Sequence, residues 1–178
     1  YRVPQPPQTD RPPVVLFLGG LKRRKNVEFL LRVWKQVRFQ GATLFIVGDG
    51  PDREALHRQA RGSVVFLSHV TEAKKPILYG QARLFVFPST LEGFGMPPLE
   101  AQACGTPALV SVAGSLPEVV QDGLTGCVLP LEEDRWVEAI ERLLADTGTR
   151  TAMGEAATTW ARTFRWENPA RETNRVAE

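Results

Sequence analysis

The sequence predicts a single α/β domain built on a doubly wound, parallel, Rossmann-like sheet. Short apolar runs recur along the chain, and segments with helical spacing of apolar residues separate them. The runs are continuously apolar rather than alternating, as expected for strands that helices cover on both faces of a sheet. The 178 residues suffice for one sizeable core and leave no room for two full α/β domains.

Five strands are predicted, and helical patterns follow them. The strands are Val14–Leu18, Thr43–Val47, Val64–Leu67, Leu84–Phe87 and 107–111. The first helix is expected to begin at an Asn26 cap, because apolar residues from Val27 to Val37 keep i, i+3, i+4, i+7 spacing. Further helices are predicted over 52–60, 72–79 and 97–104, with Gly105 ending the last of these, and near 136–144, 153–160 and from 169 onward.

Composition indicates where the folded domain begins and ends and in which compartment it works. Residues 1–13 hold five prolines and are interpreted as a linker, residues 14–166 as the folded domain and residues 167–178 as a helical tail of a longer protein. A net charge of +2 gives no general affinity for nucleic acid. Cys104 and Cys127 are expected to be buried thiols in a reducing, cytoplasmic compartment. The apolar runs are far shorter than the ~20 residues of a membrane span.

The loop after the fourth strand carries the most informative pattern. Gly93 and Gly95 let the backbone approach a ligand closely, and the start of the following helix favours an anion such as phosphate. Glu92 and Glu100 stand eight residues apart across this turn, where they would address neutral hydroxyl groups beside the phosphates. Alternatively, Glu100 complements the helix N-terminus and Glu92 is a solvated loop acid.

This stretch, EGFGMPPLEAQACGTP, resembles the E-x7-E signature of the retaining nucleotide-sugar glycosyltransferases of family four, also called glycosyl transferases group 1. The resemblance covers Val14 to about Trp166. It implies that the chain is the donor-binding, C-terminal half of a two-domain GT-B enzyme. It also implies that Glu92 touches the transferred sugar and that Glu100 holds the ribose hydroxyls. Four backbone amides would cradle the sugar and diphosphate: Gly93, Phe94, Gly95 and Met96.

Four consecutive basic residues, Lys22 to Lys25, follow the first strand and end at the same rim of the predicted sheet. The resemblance places an arginine and a lysine here as catalytic groups on the diphosphate, and Arg24 and Lys25 match its R-K-N form. In many relatives the arginine instead follows the first glycine, where this chain has Gly20. A solvated charged face and a nucleic-acid contact are the alternatives.

Other motifs are interpreted mainly as structural. The GDGPDR segment begins like a dinucleotide fingerprint, but Arg53 stands at the place of the third glycine, so a strand-to-helix turn is favoured. Val70 lies in a loop similar to the one that contacts the nucleobase. Ser115 and Glu118 form an apparent capping box. Neither His57 nor His69 has a neighbour in the sequence that would complete a metal site or activate a nucleophile. The aromatic residues near the C-terminal end are expected to pack in the core: Trp160, Phe164 and Trp166.

The resemblance implies an enzyme that moves a sugar from a nucleoside diphosphate to an acceptor with retention and without a metal or other cofactor. The missing N-terminal domain would bind the acceptor and mediate any association with the inner face of a membrane, so this fragment alone would be inactive. A GT-B-type nucleotide-sugar epimerase and a non-catalytic nucleotide-binding module are the alternatives. The nucleobase, sugar, acceptor and oligomeric state stay open.

Overall fold

A computed structural model describes residues 12–164, which form one six-stranded parallel sheet in the order β3-β2-β1-β4-β5-β6. The strands are β1 Val14–Leu18, β2 Thr43–Val47, β3 Val64–Leu67, β4 Leu84–Phe87, β5 Ala108–Ser111 and β6 Gly126–Leu129. The predicted Rossmann-like class is confirmed, as are the bounds of the first four strands. The fifth begins one residue later than predicted, at Ala108. The sixth, a short edge strand paired only with β5, was not predicted.

Seven α-helices occur within residues 12–164. They are α1 Val27–Trp34, α2 Arg53–Gln59, α3 Lys75–Gln81, α4 Met96–Ala103, α5 Leu116–Val119, α6 Glu133–Ala145 and α7 Thr147–Ala161. Two 3-10 turns, Arg23–Lys25 and Glu72–Lys74, precede α1 and α3. The single helix predicted over 72–79 is therefore wrong. Pro76 lies in the first turn of α3, where its missing N–H costs nothing, whereas a continuous helix from residue 72 would place it in the interior.

Two predicted side-chain caps are also wrong, and the backbone explains the first. Asn26 adopts a left-handed conformation with φ of 54°, and its side chain makes no capping hydrogen bond. The Ser115 side chain makes no capping bond to α5, and its buried hydroxyl has no partner among residues 12–164. The predicted end of α4 is confirmed, because Gly105 takes the left-handed conformation with φ of 80° just beyond the helix.

Helices cover both faces of the sheet, with α1, α2 and α6 packed together on one face and α3 and α4 on the other, where α7 adds a further layer over α4. The rings of Phe17, Phe87 and Phe85 stack in sequence at the centre of the core. Trp136 of α6 is fully buried and meets Phe29 of α1 edge to face. This packing makes the central strands a rigid platform for the loops at their carboxyl ends.

Both cysteines are buried free thiols, as predicted. Burial raises the pKa of the Cys104 thiol to about 11 and raises that of Cys127 as well. Across the described part of the chain, no helix is both long and apolar enough to cross a bilayer. Residues 1–11 of the predicted linker, Trp166 and the predicted tail over 167–178 lie outside the described residues.

Candidate functional site

The strand order places the loops after β1 and β4 next to each other. In this order successive strands are added on one side of β1 up to β3 and on the other side from β4 onward, and ligands of doubly wound folds bind in the crevice beyond the carboxyl ends of the strands at that switch point. Arg24 and Lys25 follow β1, whereas Glu92 and the glycine turn follow β4. The structure therefore brings together the two constellations that the sequence predicted at one rim.

Lys25 and Glu92 form a buried ion pair, with Lys25 Nζ against Glu92 Oε1. Their side chains are only 10% and 8% exposed, and Lys25 Nζ also lies 4.6 Å from the centre of the Phe87 ring. Neither side chain is a solvated surface charge, so the solvated alternatives are wrong for these two residues. The pair places a desolvated cation and a desolvated carboxylate at the switch point of the sheet.

Two serines that the sequence analysis missed hold Glu92 in place. Ser89 Oγ donates a hydrogen bond of 3.0 Å to Glu92 Oε1, and Ser111 Oγ donates to the carbonyl oxygen of Ser89. Both serines are buried, at the carboxyl ends of β4 and β5. No local pattern marks them, because Ser89 lies two residues beyond β4 and Ser111 is the last residue of β5 itself. Because both partners engage Oε1, Glu92 Oε2 accepts no hydrogen bond from residues 12–164 and stays accessible.

The two site loops are joined through their backbones at Arg24. Its carbonyl oxygen accepts hydrogen bonds from the Thr90 amide at 2.8 Å and from Thr90 Oγ1 at 3.2 Å. The exposed Arg24 guanidinium donates to the carbonyl oxygen of Leu91 at 3.4 Å. Arg24 therefore lies at the rim of the crevice, beside the glycine turn, with most of its donors directed to solvent.

The glycine turn presents free amides. The N–H groups of Gly93, Gly95 and Met96 donate no hydrogen bond within the described residues. A Cβ on Gly93 would meet no atom within 4 Å, whereas Gly95 takes the left-handed conformation with φ of 84°. The two residues after Met96 are prolines without an N–H, so the amides available at the start of α4 end at Met96. This arrangement suits an oxyanion.

Gly114, in the loop after β5, supports this turn and was also missed. It has φ of +54°, and a Cβ at this position would overlap the carbonyl oxygen of Glu92. The adjacent Ser115 amide donates to that same oxygen at 3.5 Å. Val112 and Ala113 separate this glycine from the end of β5, so no strand-end pattern marks it in the sequence. The contact places the S-L-P-E loop beside the site.

Glu100 lies on α4, one turn beyond the free amides. The buried Tyr79 hydroxyl donates to Glu100 Oε2 at 2.8 Å, while Oε1 accepts no hydrogen bond in the described range. Since α4 begins at Met96, Glu100 lies beyond the first turn, where a carboxylate no longer complements the helix N-terminus. The alternative that Glu100 complements the helix N-terminus is therefore not supported, and the partner that the structure gives this carboxylate is Tyr79.

A cavity of about 260 Å³ adjoins the other side of the loop after β1. Val70, the predicted nucleobase contact, lines it together with His69 and Lys75 from the segment after β3. The remaining lining residues come from the ends of β1 and β2: Leu18, Gly19, Gly20, Val47, Gly48 and Asp49. The loop after β1 thus borders both this cavity and the Lys25–Glu92 pair.

The GDGPDR segment closes the end of β2 against neighbouring backbone. Gly48 has φ of +145°, and a Cβ there would overlap the carbonyl oxygen of Gly19. Arg53 Nη1 donates to the carbonyl oxygens of Gly48 at 2.7 Å and Leu67 at 3.4 Å. These contacts support the structural interpretation of this motif.

Aromatic packing lies behind the glycine turn. Trp160 Nε1 donates to the Val119 carbonyl oxygen at 2.8 Å, and Phe164 meets both Trp160 and Phe94 edge to face. Trp160 and Phe164 thus pack rather than form a stacking platform, but the prediction that they lie in the core is wrong, because both are half-buried and Phe164 packs on a small separate cluster of Leu99, Val119 and Ala161. Within residues 12–164, no three side chains of His, Cys, Asp or Glu cluster as metal ligands would.

Fold and site together define a doubly wound α/β domain whose crevice offers a cation, free amides and two carboxylates with one open oxygen each. The model of the family described as "Glycosyl transferases group 1" matches residues 3–160. The chain therefore belongs to this family of glycosyltransferases.

Three comparisons place the chain among known proteins. An uncharacterized glycosyltransferase of Methanocaldococcus jannaschii is 34% identical over 175 residues, which cover 94% of this chain and 45% of the relative. HepE of Anabaena, solved in complex with UDP and glucose, matches with TM-score 0.77 and 26% identity over 84% of this chain and 43% of that chain. The C-terminal domain of a glycosyl transferase group 1 protein, LpcC of Francisella tularensis, shares the fold with a TM-score of 0.78 and 18% identity. The match covers 89% of this chain and 94% of that chain.

The chain thus spans about half the length of the curated relative, and its fold matches that of the C-terminal domain solved for LpcC.

Proposed function

We propose that this chain is the donor-binding half of a GT-B glycosyltransferase that moves a sugar from a nucleoside diphosphate to an acceptor with retention of configuration. The observation that carries the proposal is the buried Lys25–Glu92 pair beside the free amides of the glycine turn. The UDP and glucose complex of HepE supports the class of donor.

The diphosphate would lie between the loop after β1 and the glycine turn. Lys25 supplies a point charge, Arg24 a planar fork of donors, and the amides of Gly93, Gly95 and Met96 supply further donors. When the bond between the anomeric carbon and the phosphate oxygen breaks, negative charge develops on the departing diphosphate. These groups are placed to stabilise that charge, so the reaction as proposed needs no metal ion.

The two carboxylates would address hydroxyl groups on either side of the diphosphate. Glu92 offers its open Oε2 to the transferred sugar, while Oε1 stays with Lys25 and Ser89. Glu100 offers Oε1 to the ribose. The nucleobase of the donor would bind in the cavity beside Val70.

The surroundings of the site fit an opposing half of the enzyme. Leu91 and Val112, in the loops after β4 and β5, are 63% and 60% exposed, and Met96 is 37% exposed. These apolar side chains rim the crevice where the acceptor-binding, N-terminal half would close over the donor. We place the enzyme in the cytoplasm, with any membrane association in that other half, and expect these 178 residues to catalyse no transfer alone.

A titration with UDP, GDP, dTDP and ADP tests donor binding by the 178-residue chain. We expect one nucleotide to bind, and Lys25→Ala to weaken that binding about 10-fold or more, because a charge-assisted hydrogen bond contributes about 1.5–3 kcal/mol. Lys35→Ala removes an exposed lysine outside the site and serves as the matched control. Absence of binding in the wild type, or equal losses in both variants, would contradict the proposal.

The complete enzyme tests the chemistry. Glu92→Gln should lower the transfer rate about 10²–10³-fold, as removal of one preorganised polar group does in other enzymes. Analysis of the products with and without acceptor distinguishes transfer from epimerisation of the donor. Turnover by Glu92→Gln at the wild-type rate would contradict the role of this carboxylate.

A further inference from the structure

Contacts with the core hold Tyr79 beneath the site. The side chain is fully buried at the end of α3, and its ring meets Phe85 of β4 edge to face at 5.5 Å. Thr106 Oγ1 donates to the Tyr79 carbonyl oxygen at 2.6 Å. The hydroxyl then reaches Glu100 Oε2 at 2.8 Å. The position of this hydroxyl is therefore fixed by the core rather than by the surface loops.

This contact leaves the Glu100 carboxylate in a defined state. Oε2 accepts from Tyr79, whereas Oε1 accepts no hydrogen bond from residues 12–164 and is not among the fully buried unpaired oxygens. A glutamate without such an anchor rotates about its three side-chain torsions and loses that freedom when it binds a ligand. A carboxylate that is already anchored can bind a pair of hydroxyl groups without losing that conformational entropy.

We infer that Tyr79 is a positioning residue that orients Glu100 toward the ribose hydroxyls of the nucleotide, an inference that rests on the proposed function. Tyr79 touches no ligand itself. Its effect should appear only in the part of the binding free energy that depends on the ribose hydroxyls. A role in core packing alone would change the affinity for all nucleotides equally.

The experiment compares UDP with 2′,3′-dideoxy-UDP by titration calorimetry on the 178-residue chain. The wild type should prefer UDP by about 10- to 100-fold, since hydroxyl groups that bind a carboxylate make charge-assisted hydrogen bonds. Tyr79→Phe removes one oxygen and keeps the ring. We expect it to reduce the preference about 3- to 10-fold through weaker UDP binding, with the dideoxy affinity unchanged.

Two further variants separate positioning from packing. Thr125→Val removes a fully buried hydroxyl near β6 and should keep the wild-type preference. In a Glu100→Gln background, Tyr79→Phe should change the preference no further, because the two residues act as one unit.

The outcomes distinguish this inference from the proposed function. If the wild type binds none of UDP, GDP, dTDP and ADP, the proposed function fails and the inference fails with it. If the wild type binds UDP and prefers it, but Tyr79→Phe keeps the full preference, only the inference is overturned. Equal wild-type affinity for UDP and its dideoxy form would likewise remove the ribose role of Glu100 and overturn the inference.

Discussion

Replacement of Lys25 by methionine isolates the energetic role of the ion pair at the centre of the site. The methionine keeps an unbranched apolar stem above Phe87 and removes the ammonium group, with both its charge and its hydrogen-bond donors. Glu92, whose side chain is 8% exposed, then retains the Ser89 hydroxyl as its one hydrogen-bond donor among residues 12–164. The substitution therefore leaves a desolvated carboxylate without a counter-charge.

The expected cost is about 3 kcal/mol, the lower end of the range of about 3–5 kcal/mol for breaking a buried ion pair, because this pair lies in the loops beyond the carboxyl ends of β1 and β4 rather than deep in the core. At about 2–4 °C per kcal/mol for a domain of this size, the melting temperature should fall by about 6–12 °C. Glu92→Gln should cost a similar amount by leaving the ammonium unpaired. The double variant should lose less than the sum, by about 1–3 kcal/mol.

Urea unfolding followed by tryptophan fluorescence measures these free energies, since Trp34 and Trp136 are both buried. The ion pair of Arg32 and Glu133, whose side chains are 47% and 32% exposed, provides the matched control. Its disruption should cost less than about 1 kcal/mol. Losses below about 1 kcal/mol in both single variants at the Lys25–Glu92 pair, or strictly additive losses in the double variant, would refute the reasoning.

Three further predictions concern single positions. Gly114→Ala should destabilise the domain by about 1–3 kcal/mol more than Gly123→Ala, because both sites have positive φ but only the first adds overlap with Glu92; equal unfolding energies would contradict this. Gly93→Ala, in open space, should leave the melting temperature unchanged and weaken nucleotide binding in a titration. Native Cys104 should resist alkylation at pH 8. Its contribution to the free energy of unfolding should disappear as the pH rises from 9.0, the ordinary pKa of a thiol, to about 11, the raised pKa of Cys104 in the folded chain, and unfolding measured at several pH values checks this.

The sign of the Cys104 effect follows from its raised pKa. Below pH 9 the thiol is protonated in both the folded and the unfolded chain, so the stability is complete. Between pH 9 and about 11 only the unfolded chain loses the proton, which favours unfolding. Rapid alkylation of the native protein at pH 8 would show that this thiol is not buried as described.

Apolar periodicity was sufficient to predict the central strands, because strands buried on both faces leave a continuous apolar signal. The edge strand β6 escaped prediction because it has one neighbour and holds only Gly126 to Leu129, with a glycine and a cysteine at its start. Asn26 shows a second limit of predicting local structure from residue type. The residue type predicts a cap, but the sharp turn after the 3-10 segment requires a left-handed residue there, and asparagine tolerates that conformation.

The location of the site could be predicted, but its internal partners could not. Glu92 and the glycine turn stand in one short motif, whereas Lys25 and Glu92 are 67 residues apart in the chain. Only the adjacency of β1 and β4 brings them together. Ser89, Tyr79 and Gly114 have the same limitation, because their contacts with Glu92 or Glu100 depend on packing rather than on local sequence.

The shared loop over residues 19–25 has a consequence for how donor choice can diverge. The cavity beside Val70 borders this loop at Gly19 and Gly20, and the charged pair borders it at Lys25. With the proposed assignment, substitutions in the segment after β3 can retune which nucleobase is accepted while the residues around the scissile bond keep their geometry. On that assignment, the choice of nucleotide and the chemistry of transfer depend on different segments of one chain, so each can evolve while the other is kept.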